Sequence, residues 1–152
     1  MFGGEEKMFT IGHVARATGT KVQTIRYYEE IGLLPTPPRS EGNRRLYAEA
    51  DIDRLSFIRH AREFGFPLDA IRDLLSLADN PHQPCDAADA IARRQLGEVA
   101  RRIARLQALK AELERMVEQC RSGKISDCRV IEVLSDHGHC LTDDHRMAEA
   151  RP

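Results

Sequence analysis

Residues 86–119 read DAADAIARRQLGEVARRIARLQALKAELERMVEQ, with Cys85 immediately before them and Cys120 immediately after. The stretch has no proline, Gly97 is its only glycine, and Ala, Arg, Leu and Glu dominate, so one unbroken helix is expected. Leu96, Val99, Ile103, Leu106, Leu113 and Val117 fall at alternating steps of three and four, the spacing of a heptad seam. Lys110 takes one seam position and Cys120 the next after Val117, while Arg101, Arg102, Arg105, Glu112, Glu114 and Arg115 read as charged flanks. A seam this narrow on a helix this long cannot bury itself within one chain, so it reads as a dimerisation helix. At about 1.5 Å per residue the helix spans about 50 Å, which places thiols at both of its ends. Cys85 stands at the start, Cys120 at the last turn and Cys128 in the loop beyond. Antiparallel pairing of two copies would bring Cys85 of one beside Cys120 and Cys128 of the other; parallel pairing would keep them apart.

The whole chain has 152 residues, room for one domain or for a small domain plus an extended element. Only 5% of residues are aromatic and there is no Trp, which is lean for a large core and suits helices that bury surface against a partner. Net charge is −1, so the distribution of charge matters more than its sum. Residues 13–62 carry nine Lys/Arg against six Asp/Glu, whereas residues 132–152 carry five acids against two arginines. No apolar run is long enough for a membrane span, and residues 1–8 lack the apolar core of a secretory signal, so a cytoplasmic protein is expected. In a reducing compartment four cysteines point to metal ligands, reactive thiols or buried small hydrophobes before disulfides.

Upstream of the long helix, residues 1–8 read as a leader, with Met8 as a possible alternative start. Thr10 offers an N-cap for a helix presenting Ile11, Val14 and Ala15. Thr18-Gly19 breaks that helix, and Thr20-Lys21-Val22-Gln23 reads as a capping box opening a second one with Ile25, Arg26, Tyr27 and Tyr28, of which Tyr27 is assigned to the core. Two short helices about a glycine turn are the pattern of a helix-turn-helix. Pro35-Thr36-Pro37-Pro38 ends the second helix. Arg39-Ser40, the turn Glu41-Gly42-Asn43 and Arg44-Arg45-Leu46-Tyr47 then form a small two-stranded ribbon whose arginines suit phosphate oxygens. A helix from about Ala48, a break at Gly65-Phe66-Pro67 and a helix over Leu68–Ala78 lead into the linker Asp79–Pro84. A helical turn is expected over Val130–Leu134. The segment from His137 to the end reads as mobile, and His13, His60, His82 and His145 read as surface or packing histidines.

These residues carry a resemblance. Ile25-Arg26-Tyr27-Tyr28-Glu29, Gly32-Leu33-Leu34, Arg39-Ser40-Glu41-Gly42-Asn43, Arg45-Leu46-Tyr47, Phe57-Ile58-Arg59 and Gly65-Phe66 resemble the DNA-binding domain of MerR-family transcription regulators, with Arg44 as a departure from that pattern. The resemblance runs from residue 9 to about residue 134. It implies a mainly α protein: a winged helix-turn-helix domain over residues 9–80, a dimerisation helix over 85–120 paired as an antiparallel coiled coil, a metal-binding loop and helical turn over 120–134, and a mobile tail over 135–152. It implies a homodimer on double-stranded promoter DNA that distorts the duplex for RNA polymerase when an effector binds the far end of the coil. Arg26, Tyr28, Arg39, Asn43, Arg44, Arg45 and Tyr47 are the implied DNA contacts.

Family members that sense metals place thiolates at positions matching Cys120 and Cys128, and those for divalent ions add one matching Cys85. A +2 ion calls for more negative ligands than a +1 ion, so Cys85 favours cadmium, lead, mercury or zinc. His137, His139 and Cys140 are candidate extra ligands. Cys120 and Cys128 are eight residues apart, a spacing that also resembles copper sensors, so a monovalent Cu(I), silver or gold sensor is the alternative. A thiol redox sensor is a third reading. The cysteines are not clustered as an iron–sulfur site would need. Without a phosphate-binding glycine loop or a His-Glu-x-x-His pair, no enzyme is expected.

Overall fold

The computed structural model describes residues 6–120 and 123–140. The chain divides into two units, Met1–Ile91 and Ala92–Pro152, with the boundary inside the long helix. No helix among the described residues is long and apolar enough to cross a membrane.

In the first unit, α1 (Ile11–Thr18) and α2 (Val22–Glu30) make the expected helix pair. Thr10 Oγ1 accepts the His13 N–H at 3.3 Å and caps α1. The helix stops at Gly19, whose φ of 62° is a left-handed conformation that a residue without Cβ enters at little cost. The capping box expected for α2 is not formed. Its N-cap is Lys21, which makes no side-chain cap bond, and the Thr20 hydroxyl turns back toward the Thr18 carbonyl at 3.5 Å. After the hairpin come α3 (Glu49–Glu63) and α4 (Leu68–Ala78), separated at Gly65 with φ 82°. The Asp51 carboxylate accepts the Ala48 N–H at 2.9 Å and starts α3.

One core serves all four helices: Val14 from α1, Ile25 from α2, Leu55 and Ile58 from α3, and Ile71 and Leu75 from α4, joined by Leu33, Leu34 and Tyr47. Arginines from α3 and α4 then close the ends of the helix pair. Arg59 Nη1 donates to the Thr18 carbonyl at 2.6 Å, Arg72 Nη2 to that of Ile31 at 2.5 Å, and Arg54 Nε to that of Leu33 at 2.8 Å. Carbonyls left over at helix C-termini are thereby paired with cations, which the helix dipole also favours.

Between α2 and α3 the ribbon is present as isolated bridges rather than extended strands. Arg39 pairs with Arg45, and Tyr47 pairs with Phe9 through reciprocal N–H···O bonds of 2.8 and 2.9 Å. The segment before α1 thus adds a third edge that the local pattern did not announce.

The long helix is α5 (Asp86–Gln119), followed in the second unit by a 3-10 turn at Ile125–Asp127 and by α6 (Arg129–Ser135). Every seam residue is solvent-exposed in the single chain, from 37% for Val99 to 72% for Val117. The stripe that the chain does cover is another one. Glu112 is 2% exposed and Met116 6%, and these two line a cavity with Leu109, Val133 and Cys140. Glu112, read from the sequence as part of a charged flank, is buried. Its carboxylate accepts Arg115 Nη2 at 2.6 Å, and Arg115 also donates to the His139 carbonyl, which Arg129 Nη2 approaches at 3.5 Å. At the start of the expected tail, α6 runs to Ser135 and His137–His139 forms a 3-10 turn whose His139 carbonyl accepts from Arg115. Residues 141–152, like the leader residues 1–5, lie outside the described residues.

Candidate nucleic-acid interface and metal centre

Arg26 stands exposed on α2. Tyr27, assigned to the core from the sequence, is instead 47% exposed, whereas Tyr28 packs against the core with part of its surface open. The reason is helical geometry. Ile25 is fully buried, and the residue three positions on shares its side of the helix.

At the hairpin tip, Asn43 takes a φ of 61°, a left-handed conformation Asn tolerates better than most residues. Its N–H donates to the Ser40 carbonyl at 2.9 Å, the Ser40 hydroxyl accepts the Arg44 N–H at 3.2 Å, and Arg39 Nη1 donates to the Asn43 carbonyl at 3.2 Å. The tip is therefore internally braced, with Arg39, Asn43 and Arg44 on its exposed surface.

One carboxylate ties this hairpin to α2. Glu29, in the last turn of α2, has a side chain only 7% exposed; it accepts the Tyr47 hydroxyl and pairs with Arg45 Nε at 3.1 Å. Tyr47 is 1% exposed, so the structure corrects its expected place at the DNA surface: it is a core residue whose hydroxyl already has an acceptor. Burial, then the hydrogen bond and charge of Glu29, push its phenol far above the ordinary range. Glu29 had no assigned role in the sequence reading. Its only signal was an acid at the end of Ile25-Arg26-Tyr27-Tyr28-Glu29, facing a ribbon rich in arginine.

The four cysteines are free thiols, with Cys85 and Cys120 exposed and Cys128 and Cys140 half-buried. The Cys85 carbonyl accepts the Asp89 N–H at 2.9 Å, which makes Cys85 the entry to α5, and Cys120 follows the helix directly. Cys128 is the N-cap of α6 and makes no side-chain cap bond. Among the described residues no three His, Cys, Asp or Glu side chains of one chain converge on a metal-sized position. His139 Nε2 approaches Glu132 at 3.8 Å and Asp136 at 3.7 Å. The donors, being free thiols, fit a soft metal, with Cys85 just before α5 and Cys120 just after it.

A helix pair about a glycine turn, braced to an arginine-tipped hairpin and followed by a long helix with an exposed heptad seam, is the architecture expected of a DNA-binding regulator. Comparison with known proteins agrees. Residues 9–78 match the model of the MerR HTH family regulatory protein, and residues 52–116 that of MerR, DNA binding. The HTH-type transcriptional regulator ZntR of Escherichia coli K12 is 41% identical over 130 residues, covering 84% of this chain and 92% of that protein. The crystal structure of the transcription regulator PbrR691 from Ralstonia metallidurans CH34 in complex with lead(II) superposes with a TM-score of 0.72 at 38% identity, over 83% of this chain and 98% of that one. The dual function transcriptional regulator MerR from Bacillus megaterium MB1, solved with mercury(II), gives 0.63 at 30% identity, over 84% and 100%. The chain belongs to the MerR family of transcription regulators.

Proposed function

We propose that this chain acts in the cytoplasm as a homodimeric, metal-responsive regulator. It binds double-stranded promoter DNA through α2 and the hairpin. It holds a soft divalent ion with Cys120 and Cys128 of one protomer and Cys85 of the other. The observation that carries this reading is the placement of free thiols at both ends of a helix whose apolar seam is exposed along its length. Covering that seam with an antiparallel copy completes a three-thiol set at each end. Such a set neutralises a +2 charge with sulfur donors, as lead, mercury, cadmium or zinc would require. The likeness to proteins solved with lead(II) and mercury(II) supports the divalent assignment. Cys140, half-buried beside Met116 and Val133, is the tail donor closest in kind to these thiols.

On the DNA side, Arg39, Arg44 and Arg45 reach phosphates from the hairpin, with Asn43 at its tip, and Arg26 and Tyr28 contact the duplex from α2. Bending a site of operator size costs on the order of 1–6 kcal/mol, and coupling between two ligands is typically about 1–3 kcal/mol. Occupation of the thiol site therefore need only tip a nearly balanced equilibrium between two dimer shapes to reset the promoter for RNA polymerase. Arg39→Ala and Arg45→Ala are expected to weaken binding across sequences and to lower the salt slope by about one each, measured by fluorescence anisotropy over a salt series. An unchanged slope removes these side chains from the phosphate contacts.

The Cys120–Cys128 spacing favours one second reading, a two-thiolate site for monovalent copper. Promoter output from the purified dimer, titrated under reducing conditions with Pb(II), Hg(II), Cd(II), Zn(II) and Cu(I), separates the two. Cys85→Ser should abolish the response to divalent ions. An intact divalent response in that variant overturns the three-thiol site.

A further inference from the structure

The register in which two copies of α5 pair has consequences for the thiol site, and α5 itself carries the information that sets it. In an antiparallel two-stranded coil the two kinds of seam position alternate across each layer, so registers can differ only by whole heptads. One register centres the two-fold axis between Ile103 and Leu106. It sets Ile103 against the partner's Leu106, Leu96 against the partner's Leu113, and Val99 against the stem of the partner's Lys110. All five apolar residues of those layers are exposed in the single chain, from 37% for Val99 to 68% for Leu96. Lys110 keeps its ammonium outside the layer, where Glu114 Oε1 already lies 3.5 Å away.

We propose that Arg93 and Glu114 lock this register. Both are exposed and both flank the seam on the same side. In the centred register, and in no neighbouring one, Arg93 of each protomer lies beside Glu114 of the other, twice by symmetry. Sliding one heptad in one direction carries Arg93 past the end of the partner's helix and sets Lys110 against Leu106. Sliding the other way sets Leu113 against Asp89, Glu114 against Asp86, and Arg102 against its own copy. That register therefore juxtaposes like charges twice over and an acid with an apolar residue, all of which are destabilising. Opposite charges on the flanks select register more than they add affinity.

The proposal rests on the antiparallel dimer proposed above and deepens it. In the centred register Asp89 falls level with the partner's Cys120, and Cys85 lies one turn further out, alongside the segment that runs from Cys120 to Cys128. The charge pair thus fixes the height at which the third thiol arrives.

Cross-linking the full chain, with its four native cysteines replaced by serine and new ones added in pairs, tests this. Leu96→Cys with Leu113→Cys is expected to give an interchain cross-link in high yield with a short bis-maleimide. A link formed instead by Leu96→Cys with Leu106→Cys, or by Ile103→Cys with Leu113→Cys, overturns the register while leaving the antiparallel dimer standing. A link from Leu96→Cys alone shows a parallel coil and overturns both. The second arm uses the charges. Arg93→Glu and Glu114→Arg should each raise the dimer dissociation constant roughly three- to tenfold, and the two together should restore it. Additive losses in the doubly swapped chain would remove the lock.

Discussion

Cells that produce Cys85→Ser and Cys120→Ser chains together are expected to regain a metal response that neither chain gives alone. Each variant by itself lacks one sulfur at both ends of its dimer. In a mixed dimer one end inherits both losses and the other inherits none, so a single complete set of Cys85, Cys120 and Cys128 reappears. Loss of a primary ligand should exceed the 10- to 100-fold cost typical of removing an outer-sphere partner, so the contrast between single variants and mixed dimer is close to all-or-none. Promoter binding should stay near that of the unsubstituted chain throughout, because neither cysteine lies in the helix pair or the hairpin. The measurement is reporter output, followed by thiolate-to-metal absorption of purified mixed dimers titrated with Pb(II). Mixed dimers that form but bind no more metal than the single variants would eliminate a site shared between protomers.

The second large effect is expected at Glu29. Glu29→Ala leaves the buried Tyr47 hydroxyl without its acceptor, which costs about 1–3 kcal/mol. The Arg45 pair adds less, because Arg45 is 28% exposed and its charge is partly screened by water. A loss of about 2 kcal/mol in denaturant unfolding is expected, with a fall in promoter affinity beyond what stability explains, since the hairpin loses its tie to α2. Tyr47→Phe removes the stranded hydroxyl, so adding it to Glu29→Ala should cost less than the two separate losses combined. Glu29→Ala with stability within about 0.5 kcal/mol of the unsubstituted chain, the range of ordinary surface changes, would show that the carboxylate is a bystander.

How far the sequence could be read follows from which interactions are local. The helix over 86–119 and its seam were legible because a three-and-four spacing needs no knowledge of the rest of the fold. Gly19 was legible as a turn for the same reason. The second stripe of α5 was not: Glu112 and Met116 are hidden by the chain beyond Cys128, and an acid near Lys110, Glu114 and Arg115 looks like a charged flank until that segment folds back. Tyr27 and Tyr28 are adjacent aromatics with equal claim to the core, and only the burial of Ile25 decides between them. Tyr47 was read as a surface group because its partners, Phe9 and Glu29, lie far away in sequence. The thiols were legible as a set, but the meeting place proposed for them depends on a second chain.

The paired arginines change what the basic stretch can do at a distance. Of the nine cations between residues 13 and 62, Arg45 is matched by Glu29, Arg54 by Asp79 and a carbonyl, Arg59 by Glu63 and a carbonyl, and Arg62 by the Phe66 carbonyl. Three of the nine, Arg45, Arg54 and Arg59, thus have a carboxylate beside them that offsets part of their charge. Long-range capture of a polyanion should accordingly be weaker than composition suggests, and the protein will recognise its operator more by the shape of its rigid grip than by electrostatic pull.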